Sequence, residues 1–291
     1  MYENILVVSE MSANHDLVLQ SLGSLKRLGA KTCFLHQYIN PMEANETIST
    51  FILDTYRASL ERQKQLLTDE GFVVEVIERG GLLRTDELFD IAREKGCSLV
   101  VTGSPKHTKI GTLLFGGMTS MIMHHATLPL LIIRIPSQPT PDDTLLSWDL
   151  LTSHVLFPTD FSENARQAFE HVKQLVAAGV GRVTLLHVQD KSKINPHLVE
   201  KLEAFNEADQ DRLTQLADEL KAVGTVEIET SLPFGSPTAE TLKVIREHEV
   251  SLVVMGSQGL GFIEELYLGS VSHNIARLSD ASVLLIPIKR D

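Results

Sequence analysis

The sequence predicts an α/β protein made of two tandem domains, each a doubly wound, five-stranded parallel-sheet sandwich. Two observations lead to this fold class. Short apolar runs alternate with amphipathic stretches along all 291 residues, as strands and helices do when they alternate. The second half of the chain also repeats the first, which indicates a tandem duplication.

The repeat rests on four pairs of segments. Ile5–Asn14 aligns with Val155–Asn164 at an offset of 150, Phe34–His36 with Leu185–His187 at 151, Ser98–Ser104 with Ser251–Ser257 at 153, and Leu130–Ile133 with Leu284–Pro287 near 154. Because the offset drifts so little, we expect one domain at 1–137 and another at 154–291. The linker between them, 138–153, belongs to a polar, proline-rich segment.

Five apolar segments in each copy are predicted as strands, and their lack of alternation favours a parallel sheet that is buried on both faces. They lie at 4–9, 31–37, 73–78, 98–102 and 130–135, and again at 154–158, 182–188, 226–231, 251–255 and 283–287. Helices are predicted near 162–178, 197–223, 236–248 and 270–279. Ser162 is a candidate N-cap, and Ser236-Pro237 places a proline just inside a helix start.

The composition excludes several classes of function. The net charge is −12, and both halves are acidic, so the surface suits neither nucleic acid nor an anionic membrane. No apolar run is long enough to span a bilayer, and the first residues do not resemble a signal peptide. Cys33 and Cys97 are expected to be buried thiols in a reducing compartment. These features together predict a cytoplasmic protein.

The second copy carries a glycine-spaced loop directly after a predicted strand. Gly256-Ser257-Gln258-Gly259 follows the apolar run 251–255, and Gly269-Ser270 opens the next helix. Glycines allow a close backbone approach, and a helix N-terminus presents unpaired N–H groups to an anion. The pattern therefore predicts a phosphate-binding loop.

In a doubly wound sheet the ligand crevice lies beyond the carboxyl ends of the strands. If the first and fourth strands are neighbours, Asp160 in the segment 158–162 faces the glycine loop. Val188, after the second strand, would supply an apolar wall for a base. Asp160 could instead cap the helix that begins near Ser162, and this alternative stays open.

The motif Gly256-x2-Gly259-x9-Gly269-Ser270 resembles the nucleotide-binding signature of the universal stress protein family. The segment 158–162 and Val188 also fit that family, and the similarity covers nearly the whole chain. The resemblance implies an adenine nucleotide alpha hydrolase-like fold with strand order 3-2-1-4-5. It implies ATP, ADP or AMP as the ligand, with Mg²⁺ accompanying ATP.

The resemblance also implies which residues contact the nucleotide. They are Pro158, Thr159, Asp160, Phe161, Val188, Met255, Gly256, Ser257, Gln258, Gly259, Gly269, Ser270, Val271 and Ser272. Members of the family pair through their last strand, which implies pairing of Ile132-Ile133 with Leu285-Ile286 within one chain. A homodimer is left open.

The first copy departs from the motif. Its equivalent is Gly103-x2-Lys106-x9-Gly116-Gly117, and Glu10 stands where the second copy has Asp160. A side chain at Lys106 would block the backbone approach, or the lysine would itself reach a phosphate. Loss of binding is the favoured reading of this degenerate site. In the second copy, uncharged Gln258 and acidic Glu264-Glu265 weaken the expectation of a tightly held triphosphate and keep AMP or ADP in play.

Binding rather than catalysis is the expected function. Ser257 and Ser270 are interpreted as phosphate-binding hydroxyls, and His36 and His187 as core or crevice-edge histidines at equivalent strand positions. His124-His125 lacks a nearby cysteine or carboxylate at ligand spacing, so no metal site is expected. The charged stretches of the long helices at 47–70 and 197–223 read as solvated faces. A slow ATPase or nucleotidyl-transfer enzyme, and a ligand-free interaction scaffold, are the alternatives.

Overall fold

The computed structural model describes residues 1–10, 13–37, 49–77, 85–105, 117–135, 151–190, 202–259 and 268–288. The chain divides into two compact units, an N-terminal unit (Met1–Trp148) and a C-terminal unit (Asp149–Asp291), which are described separately. Among the described residues, no helix combines the length and the apolar character needed to cross a membrane.

The N-terminal unit alternates strands and helices along the chain. Its strands are β1 (Asn4–Ser9), β2 (Thr32–Gln37), β3 (Val73–Val76), β4 (Leu99–Pro105) and β5 (Leu130–Ile135). Its helices are α1 (Ala13–Ser21), a 3₁₀ helix (Leu22–Leu28), α2 (Ser49–Asp69), α3 (Thr85–Glu94) and α4 (Gly117–His124). All neighbouring strands are parallel, in the order β3-β2-β1-β4-β5.

The C-terminal unit repeats this plan. Its strands are β6 (Val155–Pro158), β7 (Arg182–Leu186), β8 (Gln189–Asp190), β9 (Glu227–Ser231), β10 (Phe234–Gly235), β11 (Leu252–Gly256) and β12 (Ser282–Ile286). Its helices are α5 (Glu163–Ala177), α6 (Leu202–Val223), α7 (Pro237–Glu247) and α8 (Ser270–Leu278). The parallel sheet runs β9-β7-β6-β11-β12. Both units thus have the predicted strand order 3-2-1-4-5, and the predicted fold class is confirmed.

The central strands of each unit are buried on both faces. Residues 5–8 of β1 and 252–256 of β11 are buried throughout, as expected for strands covered by helices on either side. The helix starts also follow the sequence: Ser162 accepts a hydrogen bond from Ala165 N, and Pro237 is the first residue of α7. The Ser162 cap and Pro237 mark the starts of α5 and α7, immediately beyond the carboxyl ends of strands.

A short parallel ribbon, β8 with β10, was not predicted. It pairs Gln189 with Phe234 and Asp190 with Gly235. The second strand of this unit therefore ends at Leu186 rather than at 188. The third strand stops at Ser231, within the predicted segment 226–231. The ribbon joins the segments that leave β7 and β9 at the carboxyl edge of the sheet.

The strand registers correct two of the sequence alignments by one residue. Val8 is opposite His36 in β1–β2, whereas the matching Pro158 is opposite Leu186 in β6–β7. His36 therefore corresponds to Leu186, and the two histidines are not at equivalent positions. Likewise, Val100 is opposite Leu130 and Val253 is opposite Val283, so the last strands are offset by 153. A one-residue shift matters because it moves a side chain to the other face of the sheet.

Candidate functional site

The turn that leaves β6 is organised by its own side chains. The Phe161 amide donates to Thr159 Oγ1 at 3.0 Å, and the Ser162 amide donates to Asp160 Oδ1 at 3.1 Å. Ser162 Oγ then caps α5 by accepting from Ala165 N at 3.2 Å. The cap of α5 is thus Ser162, while Asp160 closes the turn before it. The second carboxylate oxygen of Asp160 lies against Gly259.

Phe161 holds this turn in an unusual backbone conformation. Its φ is +59°, a left-handed value that costs a non-glycine residue roughly 1–2 kcal/mol. The centroids of the Phe161 and His187 rings are 4.6 Å apart. The Arg212 guanidinium lies 5.2 Å from the centroid of the Phe161 ring. These contacts offset the backbone cost and fix the direction of the chain between Asp160 and Ser162.

Asn164 connects the first strand's exit to the glycine loop. Its Oδ1 accepts from Gln258 N at 2.9 Å, and its Nδ2 donates to Ile286 O at 3.2 Å. A β-carbon at Gly256 would lie 2.6 Å from Asn164 Oδ1, so the close approach requires glycine there. Sequence reasoning did not identify Asn164 as a site residue, although it aligns with Asn14 in the repeat.

The two ends of the glycine loop meet at the start of α8. The Gly269 amide donates to Ser257 O at 2.7 Å, and Ser272 Oγ donates to Gly256 O at 2.8 Å. Gly269 is the N-cap of α8 and makes no side-chain cap bond, so the first N–H groups of the helix point outward from its end. Glu264 and Glu265 lie outside the described residues.

These parts line one cavity of about 510 Å³ at the carboxyl edge of the C-terminal sheet. The structure places nearly all of the expected nucleotide-binding residues in its wall. They are Pro158, Thr159, Asp160, Val188, Met255, Gly256, Gln258, Gly259, Gly269, Ser270, Val271 and Ser272. Phe161 and Ser257 are not in the lining: Phe161 packs on His187, and Ser257 is buried with its amide donating to Ile286 O.

The cavity also has lining residues that sequence reasoning missed. They are Ala165, Leu186, His187, Gln189, Asp190, Asp209, Pro237 and Thr241. Asp209 is a correction, because the charged stretch of its helix was expected to be a solvated face. Its side chain is only 16% exposed. Charged residues are closely spaced along α6, so the sequence does not indicate which carboxylate faces the cavity.

His187 and Asp209 tie the end of β7 to helix α6. His187 Nδ1 donates to Thr159 O at 2.7 Å, and its Nε2 lies 3.5 Å from Asp209 Oδ2. Gln189 Nε2 donates to the same carboxylate oxygen at 3.2 Å. Val188, between these two anchored residues, is thereby held in the cavity wall.

The N-terminal unit places its equivalent residues differently. Thr119 Oγ1 donates to Gly103 O at 3.1 Å, which matches the bond from Ser272 to Gly256, and Gly117 begins α4. Lys106 and Gly116 lie outside the described residues, so their part in the degenerate site stays a prediction. Glu10 is half-exposed and lies 3.7 Å from His15 Nε2.

His15 fills space at this edge of the N-terminal unit. It aligns with the small cavity-lining residue Ala165 of the C-terminal unit, yet it is 4% exposed. Its Cε1 lies 3.4 Å from where a β-carbon of Gly103 would be. Burial lowers the pKa of His15 to about 4, so the ring is neutral at pH 7. Sequence reasoning missed this residue because no spacing motif includes it.

The strand ends of the N-terminal unit are bonded to α2 through Gln63. Ser9 Oγ donates to Gln63 Oε1 at 2.5 Å, and Gln37 Nε2 donates to the same oxygen at 3.0 Å. Gln63 Nε2 in turn donates to Glu10 O at 2.9 Å. Gln37 is the register equivalent of His187, so both units anchor this strand end to a helix but use different side chains.

The described residues include no cluster of three or more histidine, cysteine or acidic side chains that could hold a metal ion. Cys33 and Cys97 are buried free thiols, as expected. Burial raises the pKa of both, that of Cys97 to about 11, so neither is a reactive thiolate at neutral pH.

Comparison with known proteins agrees with a chain of two tandem domains of one fold. The model of the universal stress protein family matches residues 1–134 and 152–287. The chain belongs to the universal stress protein family. It contains two family domains in tandem, as predicted from the repeat and the glycine motif.

Single-domain relatives match less than half of the chain. The universal stress protein MJ0577 of Methanocaldococcus jannaschii is 31% identical over 154 residues, which are 46% of this chain and 94% of the relative. YxiE of Bacillus subtilis is 27% identical over 143 residues, 45% of this chain and 97% of that protein. A crystal structure of a universal stress protein from Archaeoglobus fulgidus covers 98% of both chains with a TM-score of 0.70 and 21% identity, a likeness of fold.

Proposed function

We propose that this universal stress protein binds an adenine nucleotide (ATP, ADP or AMP) in the cavity of its C-terminal unit, and that binding serves a regulatory role in a stress response. The observation that carries the proposal is the convergence of Asp160, Val188, the glycines and the start of α8 on one cavity. Its volume of about 510 Å³ is in the range of small-molecule sites.

The two ends of the cavity suit the two ends of a nucleotide. Leu186, Val188 and Met255 give an apolar surface for a base. Gly259 and the first turn of α8 give amide donors for a phosphate, which the helix dipole also favours. Asp160 lies between β6 and the glycine loop, where a carboxylate accepts hydrogen bonds from ribose hydroxyls or a base amine.

We assign nucleotide binding mainly to the C-terminal unit. In the N-terminal unit, His15 takes the place of Ala165 and packs beside Gly103, where a ligand would approach the backbone. Glu10 adds a longer acidic side chain next to it. These two side chains support loss of binding there, in addition to the change from glycine to Lys106 in the motif.

Binding without turnover is part of the proposal. Phosphoryl transfer needs a positioned base and positive charge at the phosphates. His187 donates its Nδ1 proton to a backbone carbonyl and faces Asp209 with its other nitrogen, beside the apolar wall rather than the glycine loop. Its contacts are those of a structural anchor.

The test is direct. Purified protein is denatured, and any released nucleotide is identified by mass spectrometry; the emptied protein is then titrated calorimetrically with adenine nucleotides. A specific ligand at a hundred times its Kd should raise the free energy of unfolding by about 2.7 kcal/mol. If nothing is released and millimolar nucleotide changes neither the titration nor the melting curve, the proposal is wrong.

A further inference from the structure

His154 lies just before β6, at the amino edge of the C-terminal sheet, and the cavity lies at the other edge. The residue is only 3% exposed. Its Nδ1 donates to His248 O at 2.9 Å, and its Nε2 accepts from Thr184 Oγ1 at 2.8 Å. A carbonyl oxygen only accepts, so the proton of the neutral ring is on Nδ1. The neutral ring thus makes both hydrogen bonds in a single tautomer.

Protonation of His154 disturbs this arrangement. Its Nε2 would become a donor, so the Thr184 hydroxyl would have to turn its own hydrogen away. The positive ring would also be buried, with the charge of Arg182 nearby. Glu229 Oε2 lies 3.7 Å from Arg182 Nη2 and 3.3 Å from His248 Nδ1, so two neighbours already share its negative charge.

The groups around the ring come from every element that packs on it. Burial is the largest cause that lowers the pKa of His154, and the charges of Arg182 in β7 and His248 at the end of α7 lower it further. The His248 carbonyl and Glu229 of β9 act in the opposite direction, but the net direction is downward. Ser251, before β11, is uncharged and bonds to the backbone of His154 at 3.0 Å.

The hydrogen bonds of the His154 ring join three elements that reach the cavity. The ring lies at the start of β6, the bonded hydroxyl belongs to β7, and the bonded carbonyl is at the C-cap of α7. The opposite ends of these elements line the cavity through Pro158, Leu186 and Pro237. The 11 residues of α7 span about 16 Å as one hydrogen-bonded helix. The ring therefore lies where the relative positions of β6, β7 and α7 are fixed.

We propose that His154 is a proton-sensitive latch: its neutral ring holds the end of α7, its protonation releases that end, and release weakens ligand binding in the cavity. The last step rests on the proposed function, because it concerns the affinity of that cavity. The released ring, no longer buried, binds a proton more readily, so acid favours release. Latching is complete above pH 6.5, the ordinary pKa of histidine, and weakens as the pH falls below it. Each pH unit shifts the equilibrium by at most about tenfold.

Hydrogen exchange of the intact chain tests the latch without a ligand. His154→Asn keeps an amide that can donate to the His248 carbonyl, but it takes up no proton in this pH range. The probes are the amides of His248 and Val250, which bond to Val244 O and Ile245 O. Their exchange rate in the parent chain, divided by the rate in the variant at the same pH, should rise at least about threefold from pH 7.5 to pH 5.0. An unchanged ratio would overturn the latch; His154→Gln replaces the variant if Asn prevents folding.

Calorimetric titration with AMP at the same pH values tests the coupling to the cavity. The affinity of the parent chain, divided by that of His154→Asn, should fall at least about threefold from pH 7.5 to pH 5.0. The AMP phosphate and the other histidines are the same in both proteins, so their effects cancel in this ratio. An unchanged affinity ratio beside a changed exchange ratio would overturn the coupling and leave the proposed function intact.

His248→Gln is the matched control, because it alters the neighbouring ring but keeps the carbonyl that accepts from His154. It should keep a pH dependence like that of the parent chain. If the pH dependence is lost in His248→Gln and kept in His154→Asn, His154 is not the proton site and the inference is wrong. If neither AMP nor ATP binds at either pH, the proposed function is wrong, and the exchange experiment still decides on the latch.

Discussion

The carboxylate of Asp160 lies directly against Gly259, so a β-carbon at residue 259 would collide with its Oδ2. Two segments that are about a hundred residues apart in sequence are thus in contact at the carboxyl edge of the sheet. The contact exists because β6 and β11, the strands that these residues follow, are neighbours in the sheet. A side chain at residue 259 therefore requires Asp160 or the loop to move.

Replacing Gly259 with lysine should abolish nucleotide binding to the C-terminal unit. The change copies the residue of the degenerate first motif, Lys106, and forces either Asp160 or the loop to move. Calorimetric titration measures the loss. Gly181→Lys is the matched control, since a β-carbon there would meet nothing within 4 Å and Gly181 is absent from the cavity lining. Unchanged affinity in Gly259→Lys would remove the glycine loop from the proposed site.

Replacing Asn164 with alanine should destabilise the protein and weaken nucleotide binding together. It removes the bonds to Gln258 N and Ile286 O, so the buried Gln258 amide loses the acceptor Asn164 Oδ1, whereas Ile286 O keeps its bond from Ser257 N. The expected cost is about 1–3 kcal/mol in the free energy of unfolding. Urea unfolding and calorimetric titration measure the two effects. Asn206→Ala, on an exposed position of α6, is the control; a fully retained affinity in Asn164→Ala would show that the loop is held by other contacts.

The strands and the glycine-loop part of the cavity wall could be predicted because they follow from local patterns, whereas the strand order came from the family resemblance. Apolar runs gave the strands, and the glycine motif gave residues 256–259 and 269–272. The resemblance then placed Asp160 and Val188 opposite them. The residues of the glycine motif are predictable from sequence because their role depends on the backbone of their own segment.

Other features depend on contacts that no local pattern contains. Asn164 acts through a loop far along the chain, and Asp209 is distinguished from neighbouring charges only by which side of α6 packs on the sheet. The two Leu-His pairs at 35–36 and 186–187 look equivalent, yet the hydrogen-bond register shifts one of them by a residue. Hydrogen-bond pairing along a whole strand therefore determines which residues are equivalent more reliably than identity at two sequence positions.

Phe161 gives a prediction about the backbone. Because its φ is +59°, glycine should be tolerated better than alanine at this position, by about 1 kcal/mol in the free energy of unfolding. Both variants lose the ring contacts with His187 and Arg212, so their difference isolates the backbone cost. Urea unfolding measures it.

The control for Phe161 is an exposed position within a helix. At Lys243 in α7 the order should reverse, with alanine more stable than glycine by about 1 kcal/mol. If alanine is also the more stable residue at 161, the left-handed turn is not required by the folded chain.

His15 predicts how the stability of the N-terminal unit depends on pH. Its pKa is about 4 in the folded protein and about 6.5 when the chain unfolds, so the unfolded chain binds the proton more readily. The stabilisation is fully present above pH 6.5 and is lost as the pH falls towards 4. The pKa difference corresponds to at most about 3 kcal/mol. His36, whose pKa burial also lowers, contributes in the same direction in the N-terminal unit, and burial of His154 has the same effect in the C-terminal unit.

The variant His15→Leu separates this titration from packing. A change in packing shifts the free energy of unfolding by a similar amount at every pH, whereas removal of the proton site flattens its slope between pH 6.5 and 4. Urea unfolding at several pH values should therefore show a shallower decline for His15→Leu than for the parent chain. Parallel curves would mean that the imidazole of His15 is protonated equally in the folded and unfolded states, which would contradict its burial beside Gly103.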